Sequence, residues 1–240
     1  MGRLVKQNRG ISVELLLAIL ADYEDELSDV AISQVRKREV ILAGSAFVIL
    51  FTAALRGSEV FLLEASDLIR RVGKGKMHDT EPHIVVPLMG RFKGETGERN
   101  LMLCLVNITA SGIHVRRWVE HLVNQLKSEG RGDNAGPALC TKNGMILGRS
   151  ILNGELFAAC PDVVEFDVSI ESSYNIHRSF RRGATMRARE AGVPKDAIEM
   201  NNRWRKVENK SGGMPRVVMA ELNTEIRQAL ATCLQFSKAL

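Results

Sequence analysis

The sequence predicts an α+β fold that is mainly helical and contains one small antiparallel β-sheet. Apolar residues repeat at helical spacing over most of the chain, and two short apolar runs are separated by a glycine-containing charged turn. Neither an internal repeat nor a long linker is evident. At 240 residues, 45% of them hydrophobic, the chain can bury one substantial core. We therefore expect a single domain over residues 1–240.

The helical segments are predicted from apolar spacing and from capping residues. Ser12 is expected to cap the first helix, and a further helix is expected to begin at Arg56–Glu59. Apolar residues at helical spacing, among them Trp118, Leu122 and Leu126, mark a central amphipathic helix. The predicted helices cover residues 11–27, 33–55, 111–128, 150–160, 179–191, 195–203 and about 217–236.

One part of the chain has the sequence pattern of β-strands. Residues 83–89 (HIVVPLM) and 100–106 (NLMLCLV) are short apolar runs joined by RFKGETGER, which predicts a pair of antiparallel strands with a turn. Asp67–Val72 is a candidate for a third strand. The predicted sheet is therefore small, with two or three strands.

Composition excludes several function classes. The formal net charge is +5 and the pI is near 9.2, so we expect an anionic partner. The four cysteines are widely spaced and have no metal-ligand pattern, which predicts buried thiols and neither a metal nor a cofactor. The N-terminus lacks an apolar signal region, and the longest apolar stretch falls short of a membrane span. We expect an intracellular, soluble protein without membrane association.

Residues 177–190 (HRSFRRGATMRARE) form the most unusual local sequence, because five arginines occur between positions 178 and 189 without an acid until Glu190. A helix would place two sets of residues on opposite sides. One set is apolar: Phe180, Ala184, Ala188 and Ala191. The other is mostly basic: Arg178, Arg181, Arg182, Thr185 and Arg189. Crowded guanidinium groups suit a bidentate anion such as phosphate, and the alternative interpretation is a solvated basic face.

Two further residues carry weaker signals. Arg56 directly follows an apolar helix and could pair with Glu59 across one turn, and the alternative is a simple salt bridge at a helix end. Lys93 lies in the turn between the two predicted strands, where an exposed lysine without a specific role is common. Neither residue alone indicates a function.

Taken in order, these elements resemble the catalytic domain of the tyrosine recombinase (phage integrase) family. ALRGSE is similar to the first family box and contains Arg56, and Lys93 corresponds to the lysine on the family's β-hairpin. SFRRGATMRAREAGVP is similar to the second box, with Arg181 ten residues before Ala191 and Arg178 where His or Lys is commonest. The resemblance covers roughly residues 35–230.

The third box and the nucleophile complete the resemblance. Asn202-Arg203-Trp204 is similar to G-[HR]-W, so Arg203 or Trp204 corresponds to a supporting donor. The family tyrosine should lie in the last helix, and the match to MAELNTEIRQAL puts Asn223 in its position. An amide cannot act as the covalent nucleophile, and no tyrosine follows residue 174. The resemblance therefore predicts a chain that binds DNA without cleaving it.

The resemblance also implies partners and roles. The partner would be double-stranded DNA, in the nucleus or nucleoid, during recombination or integration of a mobile element. Homo-oligomers on DNA could form through the C-terminal helix, and the N-terminal clamp domain of the family is expected to be absent. Arg56, Arg178 and Arg181 would stabilise the phosphate in the transition state, Lys93 would protonate the leaving oxygen, and Arg182 and Arg189 would contact DNA.

Two other functions stay open at this point. The chain could be an active strand transferase with an unrecognised nucleophile, such as Thr224, although no base that would activate it is evident. It could also be a helical protein-interaction domain whose arginine face meets an acidic partner. A shared location of Arg56 and Arg181, which are 125 positions apart, would favour a phosphate site over the second of these.

Overall fold

The computed structural model describes residues 9–71, 83–90, 99–132, 136–160, 170–202 and 231–240. Within these ranges the chain is mainly helical and contains one two-stranded antiparallel sheet, which confirms the predicted α+β class. The helices are α1 (Val13–Ser28), α2 (Gln34–Thr52), α3 (Ala65–Arg71), α4 (Val115–Ser128), α5 (Arg149–Ala159), α6 (Ile170–Ser173), α7 (Ser179–Glu190) and α8 (Lys195–Asn201). None of these helices is long and apolar enough to cross a membrane.

Serine caps begin the first two helices, and the sequence predicted the first of them, Ser12. The hydroxyl of Ser12 accepts a hydrogen bond from the backbone N–H of Leu15, and the hydroxyl of Ser33 accepts one from that of Arg36. These contacts satisfy N–H groups that have no partner within the helix. The predicted helices over 11–27 and 33–55 are therefore confirmed, with the second ending slightly earlier.

Helix α2 forms the centre of the core. Every residue from Val40 to Thr52 is buried, because α1, α4, α5 and α7 pack around it. Trp118 of α4 lies directly against Gly44, where a larger residue would collide with the indole ring. Phe47 stacks on Phe180 of α7, with ring centroids 5.0 Å apart. This stack fixes α7 to the core.

The sheet consists of β1 (His83–Gly90) and β2 (Arg99–Val106), with His83 opposite Val106 and Gly90 opposite Arg99. Both strands lie where the sequence predicted them. Residues 231–239 are helical and cover one end of the sheet. There the hydroxyl of Ser237 accepts a hydrogen bond from the backbone N–H of Val106. The start predicted for this last helix, about 217, lies outside the described residues.

Several local predictions were wrong. The proposed third strand at Asp67–Val72 is helical through Arg71, because Asp67 lies in the first turn of α3 and pairs with Arg70 one turn later. The segment Arg56–Glu59 begins a turn followed by a short 3₁₀ helix, Val60–Leu62, instead of an α-helix. Ala191, expected on the packed side of α7, is exposed because the helix has already ended.

All four cysteines are free and buried, as the sequence predicted. Burial raises the pKa of the Cys104 and Cys160 thiols to about 11. A raised pKa keeps a thiol protonated and unreactive near neutral pH. These cysteines therefore serve as small apolar core residues.

Candidate DNA-phosphate site

The end of α2 determines where Arg56 emerges. The backbone N–H of Leu55 donates to the carbonyl of Leu50 at 2.9 Å, and that of Ala54 donates to Phe51 at 3.0 Å. This is a Schellman motif, which requires a left-handed residue, and Ala54 adopts φ of 48°. The motif ends the helix and releases the chain into the turn that carries Arg56.

Glu59 organises this turn. Its carboxylate accepts a hydrogen bond from the backbone N–H of Arg56 at 2.8 Å, and lies 3.6 Å from the Arg56 guanidinium. The Glu59 side chain is only 3% exposed, whereas the Arg56 side chain is 30% exposed. The predicted Arg56–Glu59 pair is therefore present, with a buried acid and a guanidinium that still reaches solvent.

Gly57 allows the turn that carries Arg56 to lie against the residues just before α7. A Cβ atom at position 57 would come within 2.6 Å of the carbonyl oxygen of Ile176 and within 2.8 Å of the Cα of His177. Both obstacles are backbone, so a larger residue would push the segments apart. Glycine at this position brings Arg56 next to the start of α7.

The beginning of α7 is held by two side-chain hydrogen bonds. The Oδ1 atom of Asn175 accepts from the backbone N–H of Arg178 at 3.0 Å, and the hydroxyl of Ser179 accepts from the backbone N–H of Asn175 at 3.0 Å. From this start, Phe180, Ala184 and Ala188 face the core. Three arginines on the other side are exposed: Arg178, Arg182 and Arg189.

Arg181 lies between these two faces. Its side chain is 8% exposed, and its Nη1 atom lies 3.9 Å from the Glu59 carboxylate. One buried carboxylate therefore serves two guanidinium groups from segments 125 residues apart in sequence. The separations of 3.6 and 3.9 Å are too long for strong hydrogen bonds, so the attraction is mainly coulombic and leaves this cluster with a net positive charge.

These groups surround a concave pocket of about 820 Å³, which we call the arginine pocket. Twelve of the described residues line it; six of the twelve are arginines, and none is acidic. The lining residues are Arg9, Gly10, Arg56, Ser58, Tyr174, His177, Arg178, Arg181, Arg182, Thr185, Met186 and Arg189. Every residue that the sequence placed on the basic side of α7 lies here, together with Arg56.

A hydrogen-bonded layer lies beneath Arg181. The hydroxyl of Thr185 donates to the Arg181 carbonyl at 2.7 Å, and the side-chain amide of Asn202 donates to Thr185 at 3.1 Å. Asn202, which directly follows α8, is fully buried. The contact fixes α8 against the arginine helix.

Other predicted site residues lie outside the described part of the chain: Lys93, Arg203, Trp204 and Asn223. Of the two tyrosines, Tyr23 is buried in the core, where burial and the nearby Glu155 raise the pKa of its hydroxyl. Tyr174 packs against the core and also lines the pocket. Arg9 gave no sequence signal, because it precedes the first helix and belongs to no motif.

The fold and the pocket define a mainly helical α+β protein with a concave cluster of guanidinium groups, a type of site suited to binding anions. No protein-family model and no curated protein sequence matches this chain. Among the solved structures that are similar to it is the integrase of the transposon Tn1549, in complex with a circular intermediate DNA. The identity is 12% and the TM-score 0.48, over 95% of this chain and 68% of the integrase chain. The functional interpretation therefore depends on the pocket residues themselves.

Proposed function

We propose that this chain binds double-stranded DNA through the arginine pocket, as a tyrosine-recombinase-like domain, and that it does not cleave the DNA. One observation carries the proposal. Arg56 and Arg181 are 125 residues apart in sequence, yet they share the buried Glu59 carboxylate and line one pocket. A solvated basic face would require neither the shared acid nor the concave shape.

The exposure of each arginine suggests its role. Arg56 and Arg181 are held by Glu59 and would grip one phosphate in a fixed orientation. Such preorganised donors are most effective where negative charge develops in a phosphoryl transition state. Arg178 would add a donor at the same phosphate, and the exposed Arg182 and Arg189 would contact neighbouring phosphates along the strand.

The other residues that match the family boxes would take part in DNA cleavage, the step that we propose is lost. Lys93 would protonate the leaving oxygen, and Arg203 or Trp204 would add a donor to the phosphate. Asn223 stands where the nucleophilic tyrosine is expected, and its amide cannot form the covalent intermediate. The proposed role in recombination or integration of a mobile element is therefore one of DNA binding.

Binding can be tested by replacing exposed pocket arginines. Arg178→Ala and Arg182→Ala should each weaken binding to a short duplex by about tenfold, because each removes a charge-assisted contact. Arg70→Ala is a matched control, since Arg70 is an exposed arginine on α3 and does not line the pocket. Equal affinities for all three variants and the parent would contradict the proposal and favour an acidic protein partner.

Cleavage can be tested with a nicked suicide duplex, which traps a covalent protein–DNA adduct. We expect no adduct from the parent chain and an adduct from Asn223→Tyr, with Asn223→Phe as a control that lacks the hydroxyl. An adduct from the parent chain would show that another nucleophile is active. Tyr174 would then be the first residue to replace, because it lines the pocket.

A further inference from the structure

The segment Arg9–Ile11, which we call the strap, crosses the start of α7. The backbone N–H of Arg9 donates to the carbonyl of Ser173 at 2.7 Å, and that of Ile11 donates to Ser179 at 3.0 Å. The Ile11 side chain is fully buried in the core. The strap is therefore held on both sides of Gly10 by its backbone and by one apolar anchor.

Two glycines make this crossing possible. A Cβ atom on Gly10 would lie 2.9 Å from the backbone nitrogen of Gly183, and a Cβ atom on Gly183 would overlap the carbonyl of Ile11. Both contacts are with backbone, which cannot move aside like a flexible side chain. Glycine at positions 10 and 183 is thus what lets the strap lie directly on the arginine helix.

The crossing brings Arg9 to the wall of the arginine pocket. Arg9 is exposed, and the contacts that hold the strap come from its backbone and from Ile11. Its guanidinium therefore has no evident part in holding the strap on α7. It adds a positive charge to a pocket in which none of the described lining residues is acidic.

We propose that Arg9 is a further phosphate-binding residue of the arginine pocket, and that the Gly10–Gly183 crossing positions it. The proposal rests on the function proposed above, because the ligand is the same DNA backbone. It adds a third chain segment to the site, besides the segment around Arg56 and the one around α7. The expected ligand of Arg9 is a phosphate rather than a base edge, so its contribution should not depend on DNA sequence.

The first test compares Arg9→Ala with the parent chain on one duplex over a range of salt concentrations. We expect roughly tenfold weaker binding and a salt slope smaller by about 1, as for the loss of one phosphate contact. Arg9→Lys should keep most of the salt slope and lose part of the affinity, because lysine lacks the bidentate geometry. Thermal unfolding of Arg9→Ala should match that of the parent.

The result separates this proposal from the one on which it rests. If Arg178→Ala and Arg182→Ala weaken binding while Arg9→Ala behaves like the Arg70→Ala control, only the role of Arg9 is wrong. If all the pocket variants bind like the parent, the proposed function itself fails. A lower melting temperature for Arg9→Ala, with an unchanged salt slope, would assign Arg9 a purely structural role and overturn the proposal.

The second test concerns positioning. Gly10→Ala should displace the strap and weaken DNA binding by an amount similar to Arg9→Ala. The double variant should then bind no more weakly than Arg9→Ala alone, because both changes remove the same contact. Additive losses would show that Gly10 acts independently of Arg9 and would overturn the positioning role. The Arg9→Ala result stands by itself if Gly10→Ala does not fold.

Discussion

Arginines occur in two contrasting surroundings in this protein. Arg36 on α2 lies among three carboxylates, at 2.7 Å from Glu26, 2.8 Å from Glu155 and 3.8 Å from Glu39. The described lining of the arginine pocket contains six arginines, and the buried carboxylate of Glu59 lies near two of them, Arg56 and Arg181. The net charge of Arg36 and its three neighbouring carboxylates is negative, whereas the described lining of the pocket has a positive net charge.

A second cluster also holds its arginines by hydrogen bonds within the fold. Glu129 accepts hydrogen bonds from Arg38, Arg131 and Gln125, and Arg38 also donates to the carbonyl of Cys140. These contacts join α2 to the end of α4 and to the segment after it. Arginines with enough local acceptors connect elements of the fold. The described lining of the arginine pocket instead concentrates guanidinium groups in a concave site, which suits an anion supplied from outside.

The largest effect should come from Glu59, the buried acid near Arg56 and Arg181. Glu59→Gln should lower the free energy of unfolding by about 3–5 kcal/mol, because it leaves Arg56 and Arg181 without their shared countercharge. Urea unfolding would measure the loss. Glu120→Gln is the control, since Glu120 forms an exposed pair with Arg116 and should cost less than about 1 kcal/mol.

The same variant tests the pocket as an anion site. Added phosphate should raise the melting temperature of Glu59→Gln more than that of the parent chain, because a bound anion replaces the missing carboxylate. An equal response of the two proteins would indicate that phosphate does not enter the pocket, and would contradict the contrast between the two surroundings.

A smaller effect is expected from Arg36→Ala. It removes charge-assisted hydrogen bonds that join α2 to α1 and α5, which should cost about 2 kcal/mol of unfolding free energy. Its DNA affinity should stay close to that of the parent, although it loses the same single charge as Arg182→Ala. Weaker DNA binding by both variants would show that overall charge, rather than the pocket, determines the affinity.

The smallest effect concerns pH. Burial raises the pKa of Glu129, but hydrogen bonds from Arg38, Gln125 and Arg131 outweigh it, so this pKa lies below the ordinary value of 4.5. A lowered pKa in the folded state stabilises the protein above about pH 4.5, and this contribution is lost as the pH falls through the folded value. Glu129→Gln should therefore flatten the acid side of the stability profile. An unchanged profile would contradict this role.

Most of the fold followed from the sequence because its patterns were long or locally specific. Ser12 and Ser33 each cap a helix that the apolar spacing also indicates. A charged turn separates the two apolar runs that form the strands. The failures were short segments. Asp67–Val72 contains apolar residues that suit a strand, but an Asp67–Arg70 contact one turn apart stabilises a helix there. Helix α3 also packs against α4 and β1, and such tertiary contacts override the weak local preference of a short segment.

The site was predictable in part for a similar reason. The two sides of α7 follow from helical periodicity, so the grouping of Arg178, Arg182 and Arg189 could be read from the sequence. The burial of Arg181 could not, since it depends on Glu59 from a distant segment. Arg9 and Tyr174 were missed as pocket residues because their positions depend on the strap and on the turn before α7, which have no periodic pattern.

The separation of faces on α7 has a consequence for how its sequence can vary. One side of the helix packs against the core through Phe180, Ala184 and Ala188. The opposite side is exposed and carries Arg178, Arg182 and Arg189. Saturation mutagenesis of α7 should therefore give two different patterns of tolerated substitutions, one when protein abundance is measured and one when DNA binding is measured. Both patterns should repeat with the helical period, but their sensitive positions should lie on opposite sides of the helix. The exposed arginines could therefore be substituted to suit another polyanion, while the residues that pack α7 against the core stay unchanged.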